Sequence, residues 1–353
     1  MINPPSVYTP KDGEKWEQAK RVARVSAALH AELDVHLAQT HMNTEQYAIA
    51  AYRNLRKSPL RYLLFPHLKE VVLINHEADS WLLGDKGFIT RSQALTKEAL
   101  NTRLKQVVGT LDWKNWQPRK KVCENHTYAV AAQKFWETLT EAVNDFFTEY
   151  RTTIHKHWYE VHRFSQDLVE HSVPMFLCEH LKKCLLDKKG QPRKSGAEWY
   201  ETNERMDLSL PRENGKAISP IATTSDPTDE AIENMKQVCR YVIFHATFFH
   251  YWPNSRQMDD GGEIVYSGLG LRHGKKECGI MTSEHDYSVA PPPQRASEQL
   301  WFANALTKTT FGHIMANEDR DIHPILIAEL RTRKKAFEAL GIDIAKIPSR
   351  PNI

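Results

Sequence analysis

Two short runs in this chain carry side chains that could hold a metal ion. The first, HLAQTH, sets His36 and His41 five residues apart inside residues 32–52, a stretch without Pro or Gly. Helix formers dominate it, so a helix is expected. An α-helix turns about 100° per residue, so an i,i+5 pair stands about 140° apart and cannot address one ion. Widening toward a π-type turn brings i and i+5 onto one face, and such bulges concentrate at functional sites. Taken alone, the pair is either two unrelated members of a set of 17 histidines or the mark of a distorted helix. The second run, FHYWPN, sets His250 and Asn254 at i,i+4, about 40° apart and on one face without distortion. Pro253 lies between them. It has no N–H and crowds the carbonyl of Phe249, so a kink is expected, unless the helix stops at Trp252 and His250 is a packed core histidine. Imidazole suits Fe, Zn, Cu and Ni; a carboxamide oxygen is a weak, hard ligand that matches iron better than zinc. Three imidazoles and one such oxygen leave an octahedral site incomplete, open to water, O2 or a chain terminus.

The elements that must carry these runs are mostly helical. Residues 1–13 read as an extended lead-in stopped by Pro10 and Gly13. Residues 14–56 contain neither Pro nor Gly, and Val22, Val25, Leu29, Leu33 and His36 form a helical apolar stripe that leads the first pair into the core. Ser58-Pro59 ends that helix. Residues 60–89 read as a short apolar segment, a break at Pro66 and a second helix closed by Gly84 and Gly87. Helices are also expected over 92–108, over 128–158 with its many aromatic residues, and over 160–185 with a kink near Pro174. His155, His157 and His162 are read as surface or packing residues. Residues 229–252 are apolar on most faces, as a central buried helix requires. Helices at 297–317 and 322–340 precede a proline-containing tail, 341–353. The stretches 188–226 and 261–294 are long, loop-rich connections. The pattern is a mostly α, single-domain chain over residues 1–353.

Bulk properties narrow the function classes. The chain has 353 residues, 41% of them hydrophobic, enough for a sizeable core. A net charge of +3 with 26% charged residues argues against a nucleic-acid partner, which needs clustered excess base. The basic run at 118–121 is read as solvated surface. Five cysteines without CxxC spacing suggest free thiols in a reducing compartment. The polar, proline-rich N-terminus is unlike a signal peptide, and no apolar run approaches the roughly 18 residues of a membrane span. A cytoplasmic location without an integral membrane segment is expected.

Together the runs resemble the lipoxygenase family in a shortened form. The resemblance rests on HLAQTH at 36–41, AIAAYRNLRKSPLRYLLFPHLKEVVLIN at 48–75, VIFHATFFHYWPNSRQ at 242–257 and the final isoleucine. WEQAK at 16–20, Tyr128-Ala-Val130 and Trp136 also look like family positions, so the likeness runs from about residue 7 to the end. It implies a lipoxygenase-like helical catalytic core around a central buried helix pair, with the tail inserting its C-terminus at the metal. It implies His36, His41, His250, Asn254 and the main-chain carboxylate of Ile353 as ligands of non-haem iron, with manganese as the alternative. Glu32 and Gln257 are expected to hydrogen-bond and link the two metal helices. Ala78, Leu82, Phe249 and Trp252 are expected around the substrate and oxygen pocket, and Ala78 favours an S product.

The implied activity is dioxygenase addition of O2 to a polyunsaturated fatty acid, giving a lipid hydroperoxide. A metal-bound hydroxide abstracts hydrogen from a bis-allylic carbon, with no side-chain base. The partners are the fatty acid, O2 and a peripheral membrane contact. The alternatives are a lipoxygenase-like oxygenase or hydroperoxide-converting enzyme with a non-standard substrate, and a helical relic that keeps the metal for structure. The departures bear on substrate. The family's N-terminal β-barrel domain and the first part of its catalytic domain have no counterpart here. His245, Phe248, Phe249, Tyr251, Trp252 and Pro253 stand where mostly small residues are usual and should reshape the cavity. Ser267 stands where some members have a carboxylate-holding arginine.

Overall fold

A computed structural model describes residues 7–92, 95–119, 126–171, 212–213, 216–217, 227–262, 293–309, 312–316 and 321–351. The lead-in is not fully extended: Pro10–Asp12 is one 3-10 turn, with Asp12 accepting from the Thr9 N–H and hydroxyl. Gly13, at φ 55, then starts one unbroken helical rod. Its parts are α1 (Glu14–Leu29), a π-helical segment His30–Met42, and α2 (Asn43–Asn54). The junction residues keep right-handed helical angles, so the rod widens without breaking. Of the expected stripe, Val25 and Leu33 are buried but Val22 is exposed. Val22 lies in the first part of α1, residues 14–24, where no described side chain is buried, so the rod enters the core only from Val25 onward.

Side chains support the wide turns. Thr40 Oγ1 donates to the His36 carbonyl, Asn43 Nδ2 to the Gln39 carbonyl at 3.1 Å and Thr44 Oγ1 to the Thr40 carbonyl at 2.8 Å. Each satisfies the i−4 carbonyl that an α-turn would have given to a backbone N–H.

The helix after Pro59, α3 (Leu60–Leu68), contains Pro66 rather than stopping there. The proline removes a donor owed to Tyr62, a residue that faces solvent and loses little by it. The break comes at Glu70, in the left-handed region at φ 68, where Arg350 Nε holds its carboxylate at 3.2 Å. Then α4 (Val71–Ala78) runs into a short π-helical segment, Asp79–Leu83, capped by Gly84. Gly87 is tightly required, because a Cβ there would collide with the Leu82 carbonyl. Next come α5 (Phe88–Ser92), α6 (Lys97–Val108), α7 (Thr127–Glu149), α8 (Arg151–Lys156) and α9 (Trp158–His171). A two-residue antiparallel pair, Arg212–Glu213 with Lys216–Ala217, comes after them.

The second rod is α10 (Asp229–Phe244), a π-helical segment His245–Phe249 and α11 (His250–Gly261). It continues through Pro253 instead of ending at Trp252. The π segment lies just ahead of the proline, so hydrogen bonding is already displaced where the ring would crowd the i−4 carbonyl. The same device as in the first rod recurs: Thr247 Oγ1 donates to the Ile243 carbonyl at 2.6 Å and His245 Nδ1 to the Tyr241 carbonyl at 2.8 Å. Helix α12 (Pro293–Lys308) is shorter at its end and earlier at its start than 297–317. Two helices, α13 (Pro324–Thr332) and α14 (Lys334–Glu338), replace the single one expected over 322–340.

Two apolar clusters hold these helices. The larger gathers α2, α3, α7, α9, α10 and α13 around Phe135, Phe146, Trp158, Tyr241 and Phe244. The smaller packs Leu33, Leu37 and Met42 of the π-helical segment against Leu83, Phe88 and α6. The first rod passes from the smaller cluster to the larger, and His36 and His41 lie where it crosses. Residues 188–226 and 261–294 fall almost wholly outside the described residues, as does the expected kink at Pro174. Among the described residues no helix is long and apolar enough to cross a membrane.

Candidate metal centre

The π-helical segment turns His36 and His41 toward the same point, and His250 meets them from the second rod. Their Nε2 atoms form a triangle: His36 to His250 is 3.1 Å, His41 to His250 is 3.0 Å and His36 to His41 is 3.4 Å. All three rings are buried. They form a cluster able to hold a metal ion. The triangle fits that use. An ion about 2.1 Å from each imidazole nitrogen sets N···N edges of about 3.0 Å at right-angle coordination and about 3.4 Å at tetrahedral angles.

Neighbouring groups fix which ring nitrogen faces inward. Asn75 Oδ1 lies 3.2 Å from His41 Nδ1, and Asn75 Nδ2 donates to the His41 carbonyl at 2.9 Å and to Glu45 Oε2 at 3.0 Å. His41 therefore keeps its proton on Nδ1 and its lone pair on Nε2. Burial pushes the His41 imidazole down to about 3, helped by the neighbouring His36 and opposed by the Asn75 hydrogen bond. A neutral, lone-pair-bearing ring is what a cation needs. On His36, Nδ1 lies 3.1 Å from Glu32 Oε2 and donates to it. Gln257 Nε2 donates to the same carboxylate at 2.5 Å, and its amide lies 2.8 Å from His36 Nδ1. Glu32 and Gln257 thus join the two rods directly over the His36 ring.

Asn254 is buried one helical turn beyond His250, and its Nδ2 donates to the Leu306 carbonyl at 2.8 Å. That bond orients the carboxamide and leaves Oδ1 as its acceptor end. Ile353 lies outside the described residues, as does Ser267. The described part of the tail runs inward: Ile347 and Arg350 are buried, and the Ser349 carbonyl accepts from His67 Nδ1 at 2.6 Å.

A cavity of about 490 Å³ lies beside the triangle, with His36 and His41 in its wall. Ala78, Leu82, Phe249 and Trp252 all line it. The expectation that the whole bulky 245–253 segment reshapes the cavity needs correction. Phe249, Trp252 and Pro253 line it, but His245 and Phe248 turn into the core. His245 lies 4.4 Å from the Trp116 ring and 4.1 Å from that of Tyr241, and Phe248 stacks on Phe135 at 5.0 Å. Displacement of the turn at 245–249 rotates them away.

Other participants were not singled out from sequence. Asn75 had one readable signal, a polar residue closing the apolar run VVLIN. Phe88 and Phe302, in contact at 4.8 Å in the cavity wall, had none, since they come from α5 and α12, far apart in the chain.

Comparison with known proteins places this geometry in context. The sequence model of the Lipoxygenase family matches residues 3–156. A linolenate 9R-lipoxygenase from Nostoc sp. is 27% identical over 266 residues, covering 73% of this chain and 28% of that protein. A linoleate 9/13-lipoxygenase from Pseudomonas aeruginosa is 43% identical over 75 residues, 21% of this chain and 11% of that protein. The crystal structure of a 9R-lipoxygenase from Cyanothece superposes with a TM-score of 0.81 at 40% identity, over 99% of this chain and 51% of that one. A coral 8R-lipoxygenase shares the fold, with a TM-score of 0.70 at 18% identity over 99% of this chain and 51% of that one. The chain therefore spans about half the length of these solved relatives.

Proposed function

We infer that the chain belongs to the lipoxygenase family, and from that premise we propose that it is a non-haem iron dioxygenase adding O2 to a polyunsaturated fatty acid. The observation that carries this reading is the buried Nε2 triangle of His36, His41 and His250 opening onto an apolar cavity. Asn254 and the carboxylate of Ile353 complete the proposed ligand set. Iron held there supplies one-electron redox chemistry toward a bis-allylic C–H; manganese is the alternative occupant.

The chain's own residues do the rest. Ala78, Leu82, Phe88 and Phe302 give the cavity apolar walls that accept an alkyl chain and keep water from a carbon radical. Glu32 and Asn75 accept the Nδ1 protons of His36 and His41 and so hold both rings in register. The reading calls on no side chain as a general base. Glu32 already accepts from His36 and Gln257, and burial keeps His41 unprotonated at neutral pH.

Phe249 and Trp252 in the wall favour a second reading, a related oxygenase acting on a non-standard lipid. On product configuration, Ala78 points to S, whereas two of the relatives carry 9R in their names. Incubation with linoleic acid, followed by oxygen uptake and the ultraviolet absorbance of a conjugated diene, tests the first reading; chiral chromatography then assigns the configuration. His250→Ala should lose metal and turnover together. A fully active variant overturns the assignment, and metal retention without oxygen uptake on any polyunsaturated lipid identifies a structural relic.

A further inference from the structure

The last described residues of the tail are held by two sets of bonds, and one set ends on a strained position. The Ile347 carbonyl accepts from the Ile314 N–H at 2.9 Å, and the Ser349 N–H donates to the Gly312 carbonyl at 3.2 Å, which ties the tail to residues 312–314. The other set ties it to the elbow between α3 and α4. There His67 Nδ1 donates to the Ser349 carbonyl at 2.6 Å, and Arg350 Nε donates to Glu70 Oε2 at 3.2 Å. Arg350 is buried, so its guanidinium is withdrawn from water beside that carboxylate. Among the described residues Glu70 is the one non-glycine at positive φ, 68°. That region is unfavourable for a residue with a Cβ and persists where the surroundings hold it.

We infer that the Arg350–Glu70 pair is an anchor that sets where the chain's terminal carboxylate stands at the metal centre. Glu70 heads α4, and about 7.5 Å further along that helix Asn75 accepts from His41. One helix thus carries both the anchor of the tail and the partner of a histidine ligand. The three residues after Arg350 span at most about 10 Å. Pro351 fixes its own φ and holds Arg350 extended, so a shift at the anchor passes to the terminus with little slack. The inference rests on Ile353 as a ligand, as proposed above, and makes Arg350 a positioning residue that acts through that carboxylate. Loss of a ligand's outer partner typically costs about 10- to 100-fold in metal affinity, and a pair whose Glu70 side is partly exposed belongs at the lower end.

The experiment measures Fe(II) affinity by chelator competition under nitrogen, with urea unfolding of each metal-free variant alongside. Arg350→Gln and Glu70→Gln should each weaken Fe(II) binding about tenfold, and Arg350→Lys should recover part of the loss. Deletion of Ile353 should weaken binding at least as much. Arg350→Gln added to that deletion should then change affinity less than about twofold, because two changes that act through one carboxylate do not add. If the deletion weakens binding but Arg350→Gln alone does not, the inference falls and the ligand assignment stands. An equal fall with and without Ile353 also overturns the inference, since it makes Arg350 a packing residue. If the deletion changes nothing, the ligand assignment falls and the inference with it. If the affinities follow the expected pattern but linoleic acid is not oxygenated, the inference stands and the dioxygenase reading falls.

Discussion

Asn75→Ala isolates what holds the His41 ring. Asn75 is fully buried and makes three contacts, accepting from His41 Nδ1 and donating to the His41 carbonyl and to Glu45 Oε2. The truncation leaves a buried imidazole N–H without its acceptor, at about 1–3 kcal/mol, and removes two donated hydrogen bonds of about 1 kcal/mol or more each. These terms share one side chain and do not add fully, so the expected loss of stability is about 3 kcal/mol. The effect on metal should be larger than stability alone explains. A ligand ring that loses its orienting partner typically costs 10- to 100-fold in metal affinity. The assay is metal content by elemental analysis against a graded chelator, alongside urea unfolding. Thr138→Val is the control, removing a buried hydrogen bond on α7 that has no contact with the triangle. The reasoning is refuted if Asn75→Ala binds metal within twofold of the wild type, or if Thr138→Val loses as much.

Burial pushes the imidazoles of His67 and His245 down to about 4, each opposed by a hydrogen bond to a backbone carbonyl. The unfolded chain binds these protons near pH 6.5 and the folded one only near 4, so stability is complete above 6.5 and falls as pH drops toward 4. The two together should cost about 4 kcal/mol between pH 7 and pH 5, and a urea midpoint that does not move over that range contradicts the assignment. Ala78→Phe should fill the cavity beside Leu82 and cut turnover at least tenfold while metal content stays the same, a split read by elemental analysis and oxygen uptake. One residue appended after Ile353 should weaken metal binding if that carboxylate is a ligand; unchanged metal content removes Ile353 from the set.

The sequence by itself determined the helical class and the two runs that meet. The Pro- and Gly-free stretch 14–56 and the apolar stretch 229–252 are local patterns, and local patterns set helices. The i,i+5 spacing of His36 and His41 already required a widened turn if the two rings were to converge. It did not state the length of the π-helical segment, thirteen residues over His30–Met42, because π-turns have no propensity of their own. They persist where tertiary packing over-determines them, here through Thr40, Asn43 and Thr44 and the clusters on either side. Pro66 misled for the same reason: whether a proline ends a helix depends on whether the carbonyl it deprives can reach solvent, and Tyr62 faces outward.

Only the tertiary structure decided the site's surroundings. Asn75 on His41, Phe88 against Phe302, and the turning of His245 and Phe248 into the core all join residues from separate stretches of the chain. A sequence pattern reports the period within an element. Which faces of two elements oppose each other is set by packing, and the cavity between the two rods exists only once that packing is made.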